Sequence, residues 1–325
     1  MNDNLTFRLY QPQDLPGVLQ LWEDESGWGG VTEKQFHDWF VDTPCGECLI
    51  VVALDGENRI IGQEIFTPSK ICIDGKETKA LRLSAPILAK KYRARMSNVA
   101  HPVIQMFKIG AQAAVDKGYS LIYSFPSIGW LPIIKLLFPK IGIDINKVVR
   151  SQIECHAISL KAYSFEPNKK DKCNVDAVSS FNREYNNLWR STVKKFPLGN
   201  AVVRDSNWLK WKLGDHLVLE VRKAKRLTGY VAVKKDNGLI TDALARTPAD
   251  FETIIKKAVE KLHFLKDTLP TDEIKLMHTH VTSSIIEKMG FQKINYKLGF
   301  WCYSPDDSIS FENLQMARWF MMPND

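Results

Sequence analysis

The stretch Lys90–Tyr119, KKYRARMSNVAHPVIQMFKIGAQAAVDKGY, carries the decisive pattern. A basic turn, YRAR, precedes a run with helical spacing. Gly118 then ends that run before the strand-like YSLIYSF. Strand, basic turn, helix and strand in that order are what a nucleotide-type cofactor meets, because free N–H groups and the dipole at a helix start favour anions. The turn nevertheless holds Ala94 and Met96 where close backbone wrapping around a phosphate favours glycine. The segment reads as a phosphate-binding loop stripped of its glycines.

Outward from this stretch, 325 residues are long for one core and suggest two domains. Hydrophobic residues make up 45% and charged residues 25%, as in an ordinary globular protein. The N-terminal MNDNLTFRLYQPQDLPG lacks a basic head followed by an apolar run, and no apolar stretch reaches the roughly 20 residues that span a bilayer. The expectation is therefore a cytoplasmic protein with no membrane partner. A net charge of +7 suits an anionic ligand. The charge is too dispersed for a nucleic-acid patch, so no nucleic-acid partner is expected. Cys45 and Cys48 form a CxxC without a second pair, and His278 and His280 lie two apart with no third ligand in spacing, so no metal is expected.

Short strands and helices alternate along the chain. FRLYQP is strand-like, DLPGVLQLWEDE is helical with Asp14 as its cap, and TEKQFHDWFVD is helical with Thr32 as cap and Phe36, Trp39 and Phe40 inward. CLIVVALDGENRIIGQEIF and SKICIDGKETKALRLSAPILA each read as a pair of strands, with Asp74-Gly75 turning the second. GWLPIIKLLFPKIGI is a short apolar helix ending near Gly142, with Trp130 read as core. The second half retells this order. HDWFVDTPCGECLIVVALDGENRIIGQEIF lies beside NWLKWKLGDHLVLEVRKAKRLTGYVAV, and ADFETIIKKAVEKLHFL, DEIKLMHTH and SSIIEKMGF match the later elements. A tandem duplication of one α/β unit follows. The expected domains are residues 1–165 and 174–325.

With FRLYQPQDLPGVLQLW, WFVDTPCGECLIVVA, RIIGQEIF and PILAKKYRAR in the first half, and VVRDSNWLKWKL and the closing WFMMPND in the second, the chain resembles the tandem GNAT-type N-acetyltransferases of bacteria. The resemblance implies an α/β fold with a mixed, largely antiparallel sheet and flanking helices, present as two GNAT-like domains. It implies acetyl-CoA, or another acyl-CoA, as co-substrate. The backbone around Leu88 and Ala89 would face the acyl-pantetheine arm. Arg93, Ala94 and Arg95 take the places of the basic loop, with Ser97 and Asn98 as donors at the helix start. Met96 intrudes where a phosphate needs room.

Glu64, on GQEIF, is the candidate general base, acting directly or through water. Tyr123 and Ser127, with Ser124, fall at the end of the adjacent strand and are the candidate substrate contacts. The tyrosine that serves many relatives as the acid for the departing thiolate is replaced by Phe138, and in the second half by Ile286. That half retains only Arg246 in the turn of LARTPADFETI and is expected to bind no coenzyme A. The favoured function is acyl-CoA-dependent N-acylation, chiefly acetylation, of an amine on a small molecule, by a monomer or homodimer. The rival is a catalytically silent GNAT-like protein that binds a ligand or partner. Aminoacyl transfer from tRNA is disfavoured by the missing basic stripe.

Overall fold

The computed structural model describes residues 4–94, 98–163, 173–195 and 199–325. The first half runs β1 (Thr6–Leu9), α1 (Leu15–Glu25), α2 (Glu33–Phe36), β2 (Leu49–Leu54), β3 (Ile60–Ile73), β4 (Lys76–Leu88), α3 (Pro102–Asp116), β5 (Leu121–Ser124), α4 (Trp130–Leu137) and β6 (Val148–Ser159). The second runs β7 (Cys173–Val178), α5 (Arg183–Lys195), β8 (Ala201–Val202), α6 (Ser206–Lys212), β9 (Leu217–Lys223), β10 (Arg226–Val233), β11 (Ile240–Ala245), α7 (Pro248–Phe264), β12 (Glu273–Met277), α8 (Ser283–Met289) and β13 (Gln292–Tyr303). Apart from the two-residue β8, the second list repeats the first element for element. The repeat read from sequence is therefore present as architecture.

The chain forms two compact units that interleave along the sequence. One comprises residues 1–71, 78–152 and 298–316; the other comprises 72–77, 153–297 and 317–325. In the first unit, β1 to β5 lie side by side in chain order, and the strand on the far side of β5 is the end of β13. Trp301, Cys302 and Tyr303 there pair antiparallel with Ser124, Tyr123 and Ile122. In the second unit, β11, β10, β9 and β7 form an antiparallel sheet, and β12 pairs antiparallel with Cys155–Ser159 of β6. Each unit thus takes one strand from the other half's sequence.

β2 illustrates why these strands form. All six residues are buried. Leu49, Val51 and Ala53 enter the core beneath α3 and α4, while Ile50, Val52 and Leu54 enter the core beneath α1 and α2. That is the two-residue period of a strand covered on both faces. α3 approaches closely at Gly110, where an added Cβ would run into the Phe66 ring. Among the described residues, no helix is long and apolar enough to cross a membrane.

Several local expectations are met. Thr32 accepts the Gln35 N–H and completes a capping box. Asp74 and Gly75 turn the β3–β4 hairpin with φ of 49° and 81°. Others are corrected. Asp14 makes no side-chain cap; it pairs with Arg8 at 2.6 and 2.7 Å and accepts the Gln11 N–H. Trp39 is 43% exposed, because the turn His37–Val41 widens to π geometry and swings it outward. The two strands expected on either side of Pro68 are one strand, β3. Its ladder with β2 ends at the Leu49–Phe66 pair, so the missing proline N–H interrupts none of it.

The second unit is held by a buried charge network around Arg204. Its guanidinium has no exposed surface and donates to Asp242 at 2.8 Å, to both Asp325 oxygens at 2.6 and 2.7 Å, and to the Val202 carbonyl at 2.8 Å. It lies 4.9 Å from the centre of the Phe320 ring. Burial pushes the Asp242 carboxyl up to about 6, against the opposing pull of Arg204. Replacing Arg204 by Ala strands two carboxylates in the interior. Chemical denaturation should show a loss of about 3–5 kcal/mol, and a loss below about 1 kcal/mol would mean the network carries little of the unit's stability.

Candidate active site

β4 and β5 run parallel and pair from Ala80–Leu121 to Arg82–Tyr123. There the ladder stops. The Ser124 hydroxyl bridges the first unpaired step by donating to the Leu83 carbonyl at 2.9 Å. Two residues further on, Ala85 takes φ of 45°, a left-handed conformation uncommon for a residue with a Cβ, and its methyl packs into the α1/α2-side core. The strands part beyond this point, and the gap opens into a cavity of about 400 Å³. β4 contributes Arg82 to Pro86, α3 contributes Val103, Ile104 and Phe107, and the end of β5 leads to Ser127. α4 adds Trp130 and Ile134, the 3-10 turn that follows it adds Phe138, and β13 adds Trp301.

The walls are largely aromatic. Phe138 stacks on Phe107 at 5.0 Å between ring centres and meets Trp301 edge-on at 5.2 Å. Trp28 closes one side from the loop between α1 and α2, 67% exposed and flanked by Gly27 and Gly29 at positive φ. Into this apolar space β3 places Glu64. The residue is 1% exposed, and its Oε2 has no hydrogen-bonding partner. Burial alone drives its carboxyl well above the ordinary value of 4.5. Among the described residues, Glu64 and Arg82 are the charged side chains of the lining, and the Arg82 guanidinium carbon lies 5.5 Å from the centre of the Phe125 ring.

The cavity thus brings together Glu64 and Ser127, with Ser124 beside them. Tyr123 is not among its lining residues: it is buried, and its hydroxyl donates to Ser69 at 3.2 Å. Strand alternation sends neighbouring side chains to opposite faces, so Ser124 and Tyr123 cannot both face the gap. Trp130, read from sequence as core, is half-buried and lines the cavity. Trp28, Phe107 and Trp301 were not singled out by the sequence. Only Trp28 left a signal, the glycine-flanked SGWGG at Ser26–Gly30.

The residues expected at a pyrophosphate are arranged differently from the expectation. Leu88 ends β4 in the core, and its carbonyl accepts Arg93 Nε at 2.7 Å. Ala89 donates its N–H to the Ile61 carbonyl at 2.7 Å. Arg93 folds back, and its Nη2 meets the Glu25 carbonyl at 2.7 Å and carboxylate at 2.9 Å. Ala94 is exposed, and Asn98 spends its side-chain oxygen on the Ala100 N–H. Arg95, Met96 and Ser97 lie outside the described residues. The first turn of α3 is already satisfied. Pro102 has no N–H, Val103 N–H is capped by His101 Nδ1 at 3.3 Å, and Ile104 and Gln105 N–H both reach the His101 carbonyl. The described loop offers a phosphate the charge of Lys90 and Lys91, while the first turn of α3 offers it no open N–H group.

In the second unit the equivalent place, between β11, α7 and the end of β12, is filled by protein. Trp319, Phe320, Met321 and Met322 are each at most 1% exposed. The Asn324 N–H donates to the Thr241 carbonyl on β11 at 3.1 Å, and the Phe320 and Phe251 rings lie 5.7 Å apart. His278 and His280 follow β12 and diverge. The His278 ring neighbours His156 at 5.3 Å, whereas His280 lines a separate cavity with Cys72 and Arg318. Among the described residues, no group of three or more His, Cys, Asp or Glu could hold a metal ion.

No family model matches the sequence, and no curated protein matches it. Solved structures do match the fold. A protein of Enterococcus faecalis V583 described as a probable N-acyltransferase superposes with a TM-score of 0.64 at 12% identity, over 91% of this chain and 72% of its own. A GCN5-related N-acetyltransferase of Kribbella flavida gives 0.57 at 9% identity, over 92% and 70%. The N-myristoyltransferase of Saccharomyces cerevisiae, solved with bound myristoyl-CoA, gives 0.61 at 9% identity, over 99% and 90%. The fold is that of the GNAT N-acyltransferases: mixed α/β, with a largely antiparallel sheet and flanking helices, in two GNAT-like domains.

The buried Glu64 makes the free protein sensitive to pH. Its carboxyl binds a proton more tightly folded than unfolded, so its contribution is greatest below the ordinary value of 4.5 and is lost as pH rises toward the higher folded value. Denaturant midpoints compared between about pH 5 and about pH 8 should fall less for Glu64→Gln than for the unaltered protein. Parallel curves would mean that Glu64 is not held protonated.

Proposed function

We propose that this chain is an acyl-CoA-dependent N-acyltransferase acting on the amine of a small molecule, with the first unit as the reacting one. The observation that carries the reading is the parting of β4 from β5 into an apolar cavity whose floor holds one buried, unpartnered carboxyl. The neighbours support it by fold, and one of them was solved with an acyl-CoA bound.

The backbone of β4 past Leu83 would hold the pantetheine arm, and Lys90 and Lys91 would supply charge near the phosphates. A coenzyme A thioester supplies an activated acyl carbon and a thiolate that leaves readily. In the transfer, a carbon–nitrogen bond forms, the carbon–sulfur bond breaks, and the proton lost by the amine ends on the thiol. Glu64 is the lining side chain able to take or give that proton, since Phe138 carries none and Arg82 stays charged. The aromatic walls exclude water from it, which strengthens every polar contact formed there.

Acetyl-CoA at about 100 times its dissociation constant should stabilise the protein by about 2.7 kcal/mol, read as a raised thermal midpoint. Ser84→Trp, which fills the gap beside β4, should remove the shift. Arg246→Ala, in the second unit, should leave it in place. A protein indifferent to acetyl-CoA, or one whose shift survives Ser84→Trp, would overturn the reading.

A further inference from the structure

The acceptor's chemical class can be read from the wall of the same cavity. Glu64 Oε2 is buried, faces apolar surroundings and receives no hydrogen bond. An orphaned polar atom of this kind costs folding free energy, so it marks a place where a ligand supplies the donor. An acyl chain brings no donor, whereas an amine brings two or three. The rings of Phe107, Trp130, Phe138 and Trp301 line the rest of the space. Their faces attract a cation and their bulk suits an apolar body. A second ammonium group or a long polar chain on the acceptor would be stripped of water with no second carboxylate in the described lining to pair it. A carboxylate on the acceptor would have to draw Arg82 off the Phe125 ring. The remaining charged group of the lining, Arg82, is engaged over Phe125.

We infer that the acceptor is a primary amine carried on a compact aromatic or apolar body, its nitrogen lodged at Glu64 and its body in the space that these four rings border. The inference rests on the acyl-transfer reading of the cavity. Trp28, on its glycine-flanked loop, forms the outer wall against which such a body packs. α3 and α4 present no charged side chain to the cavity, so Glu64 meets the ammonium group without a competing partner. Burial makes the empty site's carboxyl hold its proton more tightly than usual, and an ammonium ion docked beside it favours the carboxylate, so binding shifts the group toward proton release.

Calorimetric titration with 2-phenylethylamine, with and without saturating coenzyme A, tests this in two buffers of different ionisation enthalpy. The expected result is binding at least about tenfold tighter than that of 2-phenylethanol, L-phenylalanine or putrescine, with net release of a proton. Glu64→Gln should weaken it by about tenfold or more and abolish the proton release. The ligand comparison uses the unaltered protein and stands even if the Gln variant misfolds. Equal binding of the alcohol, the amino acid or the diamine overturns the inference. So does absence of amine binding in both conditions, or displacement of the amine by the chain of decanoyl-CoA but not by acetyl-CoA. Amine binding in a protein indifferent to acetyl-CoA supports the amine site and overturns the transfer. An acetyl-CoA shift without amine binding overturns the acceptor class alone.

Discussion

The site exists because β4 and β5 pair for three residues and then stop. Parallel strands in a covered sheet are ordinarily zipped along their length, since each unpaired N–H and C=O buried away from water is costly. Here the ladder ends at Arg82–Tyr123, the Ser124 hydroxyl satisfies one carbonyl, and Ala85 turns the chain through a strained conformation. Strain of this sort persists only where the surroundings hold it, and here the α1/α2-side core receives the Ala85 methyl. The aromatic walls, the buried Glu64 and the lining by α3 and α4 all depend on that opening.

Much of the frame was legible in the sequence because it is set by local rules. A cap at Thr32, a hairpin at Asp74-Gly75 and a helix end near Gly142 need only a few neighbouring residues. The element order of the duplication was legible for the same reason. The site was legible in part. Glu64 and Ser127, singled out by their positions on and after strands, both line the cavity. Tyr123 was misplaced because β5 is buried on both faces and its pattern does not say which side opens. Arg93 was read as a phosphate ligand, yet its partner Glu25 stands 68 residues earlier. Trp301 enters from the far end of the chain, and nothing near Phe107 or Phe138 in sequence announces it.

The two halves spend the same architecture differently. In the first the parted strands enclose space; in the second the corresponding place holds Trp319 to Met322. Two separate sequence cues, VVRDSNWLKWKL and WFMMPND, turn out to be partners, because Arg204 of the first grips Asp325 of the second. The place that is a pocket in the first half is in the second a socket for residues 319–325. Its buried ion pairs contribute through what they prevent, since removing one partner strands the others.

The interleaving of the units has a consequence for how the chain is made. The first unit needs residues 298–316 for the strand beside β5, and the second needs 317–325 to fill its socket. Neither can reach its final packing while the ribosome still holds residues 298–325, although domains of a nascent chain commonly fold in order of synthesis. Contacts this distant in sequence also slow folding, because loop closure must be met before the contacts reward it. Nascent first-half sheet therefore waits with the β13 side of β5 unpaired, the kind of exposed strand edge that invites pairing with another chain. Translation slowed across the codons for residues 298–325 would lengthen that wait, making the yield of soluble protein depend on the speed over that stretch.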